Sequence, residues 1–169
     1  MRVTSLIAGL AALAFSQAAY AAAVDVAPVT FSPELQEALN DELGAREGEY
    51  LSAAVRDAVT NALVQRGATL GGGDLTLEIA ILDADPNRPT LEQVSRRPGL
   101  DMMRSVSIGG AELRAVLRNA GGDVVSEVSH RRYNHTLADV GASTTWGEAR
   151  HAIRQFAQKV GDAYAENAR

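Results

Sequence analysis

A β-hairpin is predicted by residues 111–133, AELRAVLRNAGGDVVSEVSHRRY. Alanine and leucine alternate with mainly charged residues up to Arg118, which is the pattern of a strand that buries one face. The NAGGD in the middle supplies asparagine and glycine, which a tight turn between antiparallel strands favours. The chain then returns as a second strand from Val124 to Tyr133.

The apolar alternation changes parity just before this hairpin. Val106 and Ile108 are apolar at even positions, whereas the alanines and leucines of the next strand stand at odd positions: Ala111, Leu113, Ala115 and Leu117. A strand changes parity only where one extra residue is inserted. We therefore predict a β-bulge at Gly109-Gly110, which would place Ile108 and Leu113 on the same side of the sheet.

Two strands and two helices are predicted upstream of the hairpin. They are a strand at 24–31 with Pro28 at an edge, a helix from Ser32 to Gly44, a helix at 47–66 and a strand at 75–81. Ser32 followed by Pro33 is a helix start, because the serine caps the first turn and proline suits its first position. Gly67 is placed to stop the second helix.

A final helix is predicted from Thr145, with Thr145 and Glu148 forming a capping box. Its buried stripe is expected to be Ala149, Ile153, Phe156, Ala157, Val160 and Tyr164. The order along the chain, β-α-β-β-β-α, predicts an α+β fold. We expect a two-layer sandwich in which the helices pack on one face of a mostly antiparallel sheet of about four strands.

The other face of this sheet is predicted to be polar. Its residues are Thr76, Glu78, Glu112, Arg114, Arg118, Glu127, Ser129 and Arg131. Opposite charges on neighbouring strands can pair across such a face. A solvated outer face is one interpretation, and a polar docking surface for another envelope component is the alternative.

Residues 1–21 have the order of a secretory signal peptide. Arg2 precedes a short apolar run, and Ala19-Tyr20-Ala21 offers the small residues that a signal peptidase requires. The run is about half of the roughly 20 residues that span a bilayer. We predict cleavage after Ala21, a single α+β domain over residues 22–169, and a periplasmic or secreted location; an uncleaved anchor is the alternative.

Composition narrows the classes of partner. The sequence has no cysteine, which leaves no disulfide, no thiol catalysis and no cysteine for lipid attachment. The formal net charge is -5, so nothing attracts nucleic acid or anionic lipid in general. We therefore predict no nucleic-acid partner, no lipidation and no stable membrane anchor after cleavage.

A long connection, residues 83–104, separates two of the predicted strands. Connections of this length inside a compact domain are often functional or mobile. Thr90 and Gln93 predict a capping box for one short helical turn, which Pro98-Gly99 ends. A possible partner contact is predicted for six of its residues: Arg88, Arg96, Arg97, Met102, Met103 and Arg104. Methionine suits such a contact because its side chain adapts to a partner, although the two methionines could instead fill the edge of the core.

No catalytic, cofactor-binding or metal-ligating residue is predicted. The sequence lacks the G-x-S-x-G of a nucleophile elbow, and the calcium-loop pattern that starts at Asp83 lacks its glycine and its final glutamate. A metal site would need His130, His135 and Asp139 within about 5 Å of one another. The paired carboxylates of a hydrolase are left open, because sequence does not show distance.

The arrangement resembles small periplasmic accessory modules: the TolB amino-terminal domain and the auxiliary lipoproteins of envelope assembly and transport systems. The segments that carry the resemblance are 24–31, 50–67, 75–79, 121–125 and the final amphipathic helix. The resemblance implies partner binding without catalysis. Lipoproteins of that group carry a cysteine after the leader, where this chain has alanine.

The function predicted from all of this is that of a non-enzymatic, exported envelope accessory protein, which binds another envelope protein or an envelope component and uses no cofactor. Two alternatives stay open. One is an exported hydrolase of unrecognised type, and the other is a protein that binds a metal or small ligand.

Overall fold

The computed structural model describes residues 22–140 and 144–168, and the predicted leader lies outside the described residues. Six strands and four α-helices occur in these ranges. In chain order the elements are β1 (Ala23–Val26), β2 (Thr30–Phe31), α1 (Pro33–Ala38), a π-helical turn (Leu39–Leu43), α2 (Ala45–Gln65), β3 (Thr69–Leu70), β4 (Leu75–Asp85), α3 (Leu91–Arg96), β5 (Gly110–Asn119), β6 (Val124–Tyr133), a 3₁₀ turn (Leu137–Val140) and α4 (Gly147–Asn167).

The strands form one mixed sheet in the order β3-β1-β4-β5-β6, and β2 pairs with β4 beyond the end of β1. β1 runs parallel to β3 and β4, as does β2 to β4, whereas β4, β5 and β6 form an antiparallel meander. The fold is thus α+β as predicted, but a sheet of about four mostly antiparallel strands was imprecise.

Pro28 explains part of that difference. The predicted strand at 24–31 is divided into β1 and β2, because the pairs Val26–Leu77 and Thr30–Ala80 leave one extra residue on the proline side. Both pieces still follow the same edge of β4. The other missed strand, β3, has only two residues, too few to show an alternation.

The core lies between the sheet and the helices. On β4, Leu77, Ile79 and Ile81 are at most 2% exposed, which confirms the predicted alternation. The predicted stripe of α4 is also buried: Ala149, Ile153, Phe156, Ala157, Val160 and Tyr164. Burying a large apolar side chain of this kind contributes about 1.5–3 kcal/mol. Among the described helices, none is long and apolar enough to cross a bilayer.

Both predicted helix boundaries around α1 and α2 are confirmed. Ser32 Oγ accepts a hydrogen bond from the Leu35 N–H at 3.1 Å, and Pro33 is the first helical residue. After α2 the chain turns at Gly67, whose φ of 87° is in the left-handed region that glycine adopts without strain.

The predicted bulge at Gly109-Gly110 is wrong. β5 begins at Gly110, so Val106 and Ile108 belong to the preceding connection and the change of parity marks the start of the strand. Ile108 is 43% exposed there and is not part of the sheet. The register shifts occur elsewhere, at Leu82 on β4 and at Val125 on β6.

The polar outer face of the sheet is confirmed. Three arginine–glutamate pairs cross neighbouring strands on it: Arg114–Glu127 at 2.8 Å, Arg118–Glu78 at 3.1 Å and Arg131–Glu112 at 3.2 Å. All six side chains are substantially exposed, so each pair contributes about 0–1 kcal/mol. The face is held in register by β-pairing and core packing rather than by these ions.

Candidate functional site

The predicted contact segment lies at the carboxyl end of β4. The first described residues lie at the opposite end, where the Ala23 N–H donates to Asp74 Oδ2 at 3.0 Å and the Tyr164 hydroxyl donates to the carbonyl of Ala22 at 2.8 Å. β4 is 11 residues long. At about 3.3 Å per residue, roughly 35 Å separates the two ends.

Asn87 is a fully buried polar residue at the start of this segment. Its Nδ2 donates to Oδ1 of Asn134 at 2.6 Å and to the carbonyl of Ser107 at 3.4 Å. Its backbone N–H donates to the carbonyl of Thr145 at 2.7 Å. Because these partners lie on separate stretches of chain, Asn87 joins the end of β4 to the end of β6, the connection before β5 and the start of α4.

Asn87 also caps α4. Its Oδ1 accepts a hydrogen bond from the Glu148 N–H at 2.8 Å. The Glu148 carboxylate pairs with Arg132 instead of turning back to its own helix end. The predicted capping box of Thr145 and Glu148 is therefore wrong: Trp146 is the N-cap residue and its side chain makes no capping bond.

The double glycine before β5 allows the chain to approach Asn87 and β6 closely. A Cβ added to Gly109 would lie 2.6 Å from Cγ and from Nδ2 of Asn87, closer than any real contact. A Cβ on Gly110 would lie 2.5 Å from Cγ of Tyr133. Neither glycine has a positive φ, so space and not backbone conformation requires glycine here.

The short helix α3 begins as predicted. Thr90 Oγ1 accepts a hydrogen bond from the Gln93 N–H at 3.2 Å, and Gln93 Oε1 accepts one from the Thr90 N–H at 3.0 Å. This reciprocal pair is a capping box, and Thr90 is only 1% exposed. The connection after β4 is therefore an ordered segment along this part.

Two of the predicted contact arginines form ion pairs within the chain. Nη2 of Arg97 lies 2.8 Å from Oε2 of Glu42, and Nε of Arg96 lies 2.5 Å from Oε1 of Glu92. Arg96 also donates to the carbonyl of Asp41. These contacts hold α3 against the π-helical turn, while more than half of each arginine side chain remains exposed.

Residues 101–105 form a turn, here called the methionine turn. Oδ1 of Asp101 accepts hydrogen bonds from the N–H groups of Met103 at 2.7 Å and Arg104 at 2.8 Å. Nη1 of Arg88 donates to the carbonyl of Met103 at 2.5 Å. The backbone is thus held from two sides, yet Met103 is 80% exposed.

A groove adjoins the methionine turn. Among the residues that line it are Pro86, Pro89, Leu100, Val106 and Ile108. Val106 is 40% exposed and Ile108 43% exposed, close to the 43% of Met102. All six predicted contact residues therefore lie at this end of the molecule, and their binding to a partner stays a prediction.

Asp83 and Asp85, here called the acidic corner, border the groove. The Tyr133 hydroxyl donates to Oδ2 of Asp83 at 2.5 Å, and burial together with this bond raises the pKa of Tyr133 well above its usual value. Asp85 lines the groove, and its pKa is raised by burial and then by the neighbouring charge of Asp83. The guanidinium of Arg131 lies 4.5 Å from the centre of the Tyr133 ring.

His130 lies against α4. Nε2 of His130 lies 3.1 Å from Oε1 of Gln155, and its Nδ1 lies 3.1 Å from Nζ of Lys159 on α4. Within 22–140 and 144–168, no three histidine or carboxylate side chains are placed to hold a metal ion. The side chain of Asp139, the third residue of the hypothetical metal set, lies outside the described residues.

A protein-family model described as "Protein of unknown function (DUF3313)" matches residues 11–160. The chain belongs to the DUF3313 family. The matched range includes the sheet, the methionine turn and most of α4, and the family description assigns no activity to any of them. Among proteins with curated descriptions, none matches this DUF3313 chain.

Two solved structures are similar to the DUF3313 chain. A "Minor Lipoprotein" from Acinetobacter baumannii is 11% identical, with 86% of this chain and 93% of that chain covered and a TM-score of 0.40. A "putative lipoprotein" from Caulobacter crescentus CB15 is also 11% identical, with 85% of this chain and 86% of that chain covered and a TM-score of 0.31.

These matches correct one prediction. The absence of lipidation and of a membrane anchor was predicted from the lack of cysteine, but both similar chains are described as lipoproteins. We withdraw that prediction. The lipoprotein part of the predicted resemblance agrees with these descriptions, while the TolB part stays a prediction.

Proposed function

We propose that this DUF3313 protein is a non-enzymatic accessory protein of the cell envelope, which binds another envelope protein or an envelope component through the methionine turn and the adjoining groove. The observation that supports it best is the 80% exposure of Met103 on a backbone held by Asp101 and Arg88. The envelope location rests on the signal-like order of residues 1–21.

The energetics favour a contact at this site. When a partner removes an exposed apolar side chain from water, binding is favoured by about 25 cal/mol per Å² of apolar surface buried. Asp101 and Arg88 already hold the backbone of the turn, so a partner loses little free energy in ordering it. A methionine side chain, which has three rotatable bonds, can adapt to the partner surface.

The opposite ends of β4 also support this assignment. Ala22 lies at the start of the sheet, and the methionine turn lies about 35 Å away at its other end. A partner bound at the turn would therefore leave the end of the sheet at Ala22 uncovered. The arrangement suits a protein that is held at one end and presents a binding surface at the other.

Site-specific photo-crosslinking in cells tests the proposal. A photoreactive residue at Met103 is expected to give a defined adduct with one partner, and Asp101→Ala should reduce its yield by loosening the turn. Val64, 51% exposed on α2, is the matched control position and should not give that adduct. Identical adducts at positions 64 and 103, or none at 103, would count against the proposal.

A second candidate function rests on the acidic corner. The pKa of Asp85 is raised and Asp83 lies beside it, and acid–base hydrolysis can use a carboxyl group of raised pKa next to a second carboxyl group. Turnover of a panel of ester, glycoside and peptide substrates tests it. Activity that is lost in Asp85→Asn and kept in Asp57→Asn, an exposed aspartate on α2, would favour the hydrolase over the binding protein.

A further inference from the structure

β6 is a long strand at the edge of the sheet. In the described part of the chain it pairs with β5 alone, and it is ten residues long. Glu127, Ser129 and Arg131 are exposed along it. An edge of this length presents a row of backbone donors and acceptors to which another strand can add.

The register shows which backbone groups point outward. The Asn134 N–H donates to the carbonyl of Gly109 at 3.0 Å, and no register shift occurs between Tyr133 and Ser126. Because bonding alternates along an antiparallel strand, the even-numbered residues of this stretch bond to β5. The odd-numbered residues, including Glu127, Ser129 and Arg131, therefore direct their N–H and C=O groups away from the sheet.

We propose that β6 pairs with β6 of a second copy of this chain, antiparallel and across a two-fold axis at Ser129. In this arrangement Glu127 of each copy lies opposite Arg131 of the other. Each pair of opposite charges faces across two strands, where such pairs are favourable by about 0.2–1 kcal/mol. The sheet continues through both copies without an open edge at β6.

The charge pattern selects this register. With the axis at Val128, Glu127 would lie opposite Ser129, and with the axis at His130 it would lie opposite Tyr133. Only the axis at Ser129 brings Glu127 to Arg131, and it also joins residues whose backbone groups point outward. Because Glu127 and Arg131 are each two residues from Ser129, the charges of β6 are complementary to those of a second, antiparallel β6.

The flanking charges extend the same pattern. Within one chain, Oε1 of Glu127 lies 2.8 Å from Nε of Arg114, and Oε2 of Glu112 lies 3.2 Å from Nε of Arg131. Across the axis these pairs would form a row of alternating sign. The chain as a whole carries a net charge of -5, so two copies that meet at a locally neutral edge avoid placing excess negative charge against negative charge.

Sedimentation equilibrium of the full-length chain over a series of concentrations tests the proposal. The native chain is expected to be a dimer. Glu127→Arg and Arg131→Glu each place like charges opposite one another twice per dimer, and each should weaken self-association about tenfold or more. Glu78→Arg breaks the ion pair with Arg118 on the same face, away from β6, and should leave the dimer unchanged.

The charge-swap double variant, E127R with R131E, separates the dimer from effects inside one chain. Within one chain, the double variant places an arginine next to Arg114 and a glutamate next to Glu112. If only these intrachain pairs mattered, the double variant would associate more weakly than either single variant. Across the axis it restores both opposite-charge pairs, so the proposed dimer predicts recovery to near the native affinity. Failure to recover would overturn the proposed register.

A cysteine at the axis gives a second readout. The sequence has no cysteine, so Ser129→Cys should form one intermolecular disulfide on mild oxidation, because residues in such a pair have Cα atoms about 5.5 Å apart. Thr76→Cys, on the same face of β4, should not. A native chain that stays monomeric over the whole series, a dimer unaffected by Glu127→Arg, or no disulfide at position 129 overturns the proposal.

Discussion

The side-chain oxygen of Asn87 accepts a hydrogen bond at 2.8 Å from the N–H of Glu148, 61 residues further along the chain. This bond ties the start of the predicted contact segment to the start of α4. Because Asn87 is 0% exposed, its other bonds are also made away from water. One buried amide thus joins the chain after β4 to the ends of β6 and α4.

Asn87→Ala is expected to lower the free energy of unfolding by about 3 kcal/mol, because it leaves the Glu148 N–H and the Asn134 oxygen without partners in the interior. Urea denaturation of both proteins measures this. Asn61→Ala, at an exposed position within α2, is the control and should cost nothing, since alanine is the better helix former. A loss below 1 kcal/mol for Asn87→Ala would show that water replaces the missing bonds.

Gly109→Ala is expected to destabilise the protein by about 1–3 kcal/mol, because the added Cβ overlaps the Asn87 side chain. The same denaturation experiment on Gly109→Ala, Asn87→Ala and the double variant tests the cause. Truncating Asn87 removes the atoms that clash, so the double variant should lose clearly less than the sum of the two. If the loss in the double variant equals the sum of the two single losses, the Cβ of Gly109→Ala does not destabilise the protein through the Asn87 side chain.

Local pattern was enough to predict much of the fold. The Ser32-Pro33 helix start, the hairpin turn and the polar outer face follow from spacings of a few residues, and the structure confirms each of them. Periods of 2 and 3.6 residues identify the buried face of a strand or helix wherever the element is long. β3, with two residues, was too short to show either period.

The candidate site was harder to predict because distant residues build it. Thr145 and Glu148 form a capping-box pattern, but Asn87 takes the Glu148 N–H and Arg132 takes its carboxylate. The partners of Asn87 lie 20 to 61 residues away, and no local spacing indicates them. Local spacing also failed to explain Gly109, where the chain passes close to the Asn87 side chain and forms no bulge.

The free energy of unfolding is expected to decrease at acidic pH because of His130. Burial, and then the charge of Lys159, lowers the pKa of His130 below its usual 6.5. Arg132 and His151 add further repulsion from β6 and α4. The unfolded chain therefore binds the proton more readily, and stability falls as the pH drops below about 6.5 and levels off below the folded pKa.

Denaturation between pH 5 and 8 measures this dependence. His130→Gln, which keeps a polar group beside Gln155, should flatten the slope in that range. His135→Gln replaces an exposed histidine and should leave the slope as it is. Equal slopes for the native chain and His130→Gln would assign the pH dependence to other groups.

Asp85→Asn is expected to raise the free energy of unfolding at neutral pH. Burial, and then Asp83, raises the pKa of Asp85 above 3.8, so the folded state disfavours the charged form. The penalty is complete above the folded pKa and vanishes as the pH falls below about 3.8, where the carboxyl is protonated in both states. Asp57→Asn, on the exposed surface of α2, is the control and should show no such gain. If Asp85→Asn instead loses stability at neutral pH, the Asp85 carboxylate makes a favourable contact that outweighs its burial.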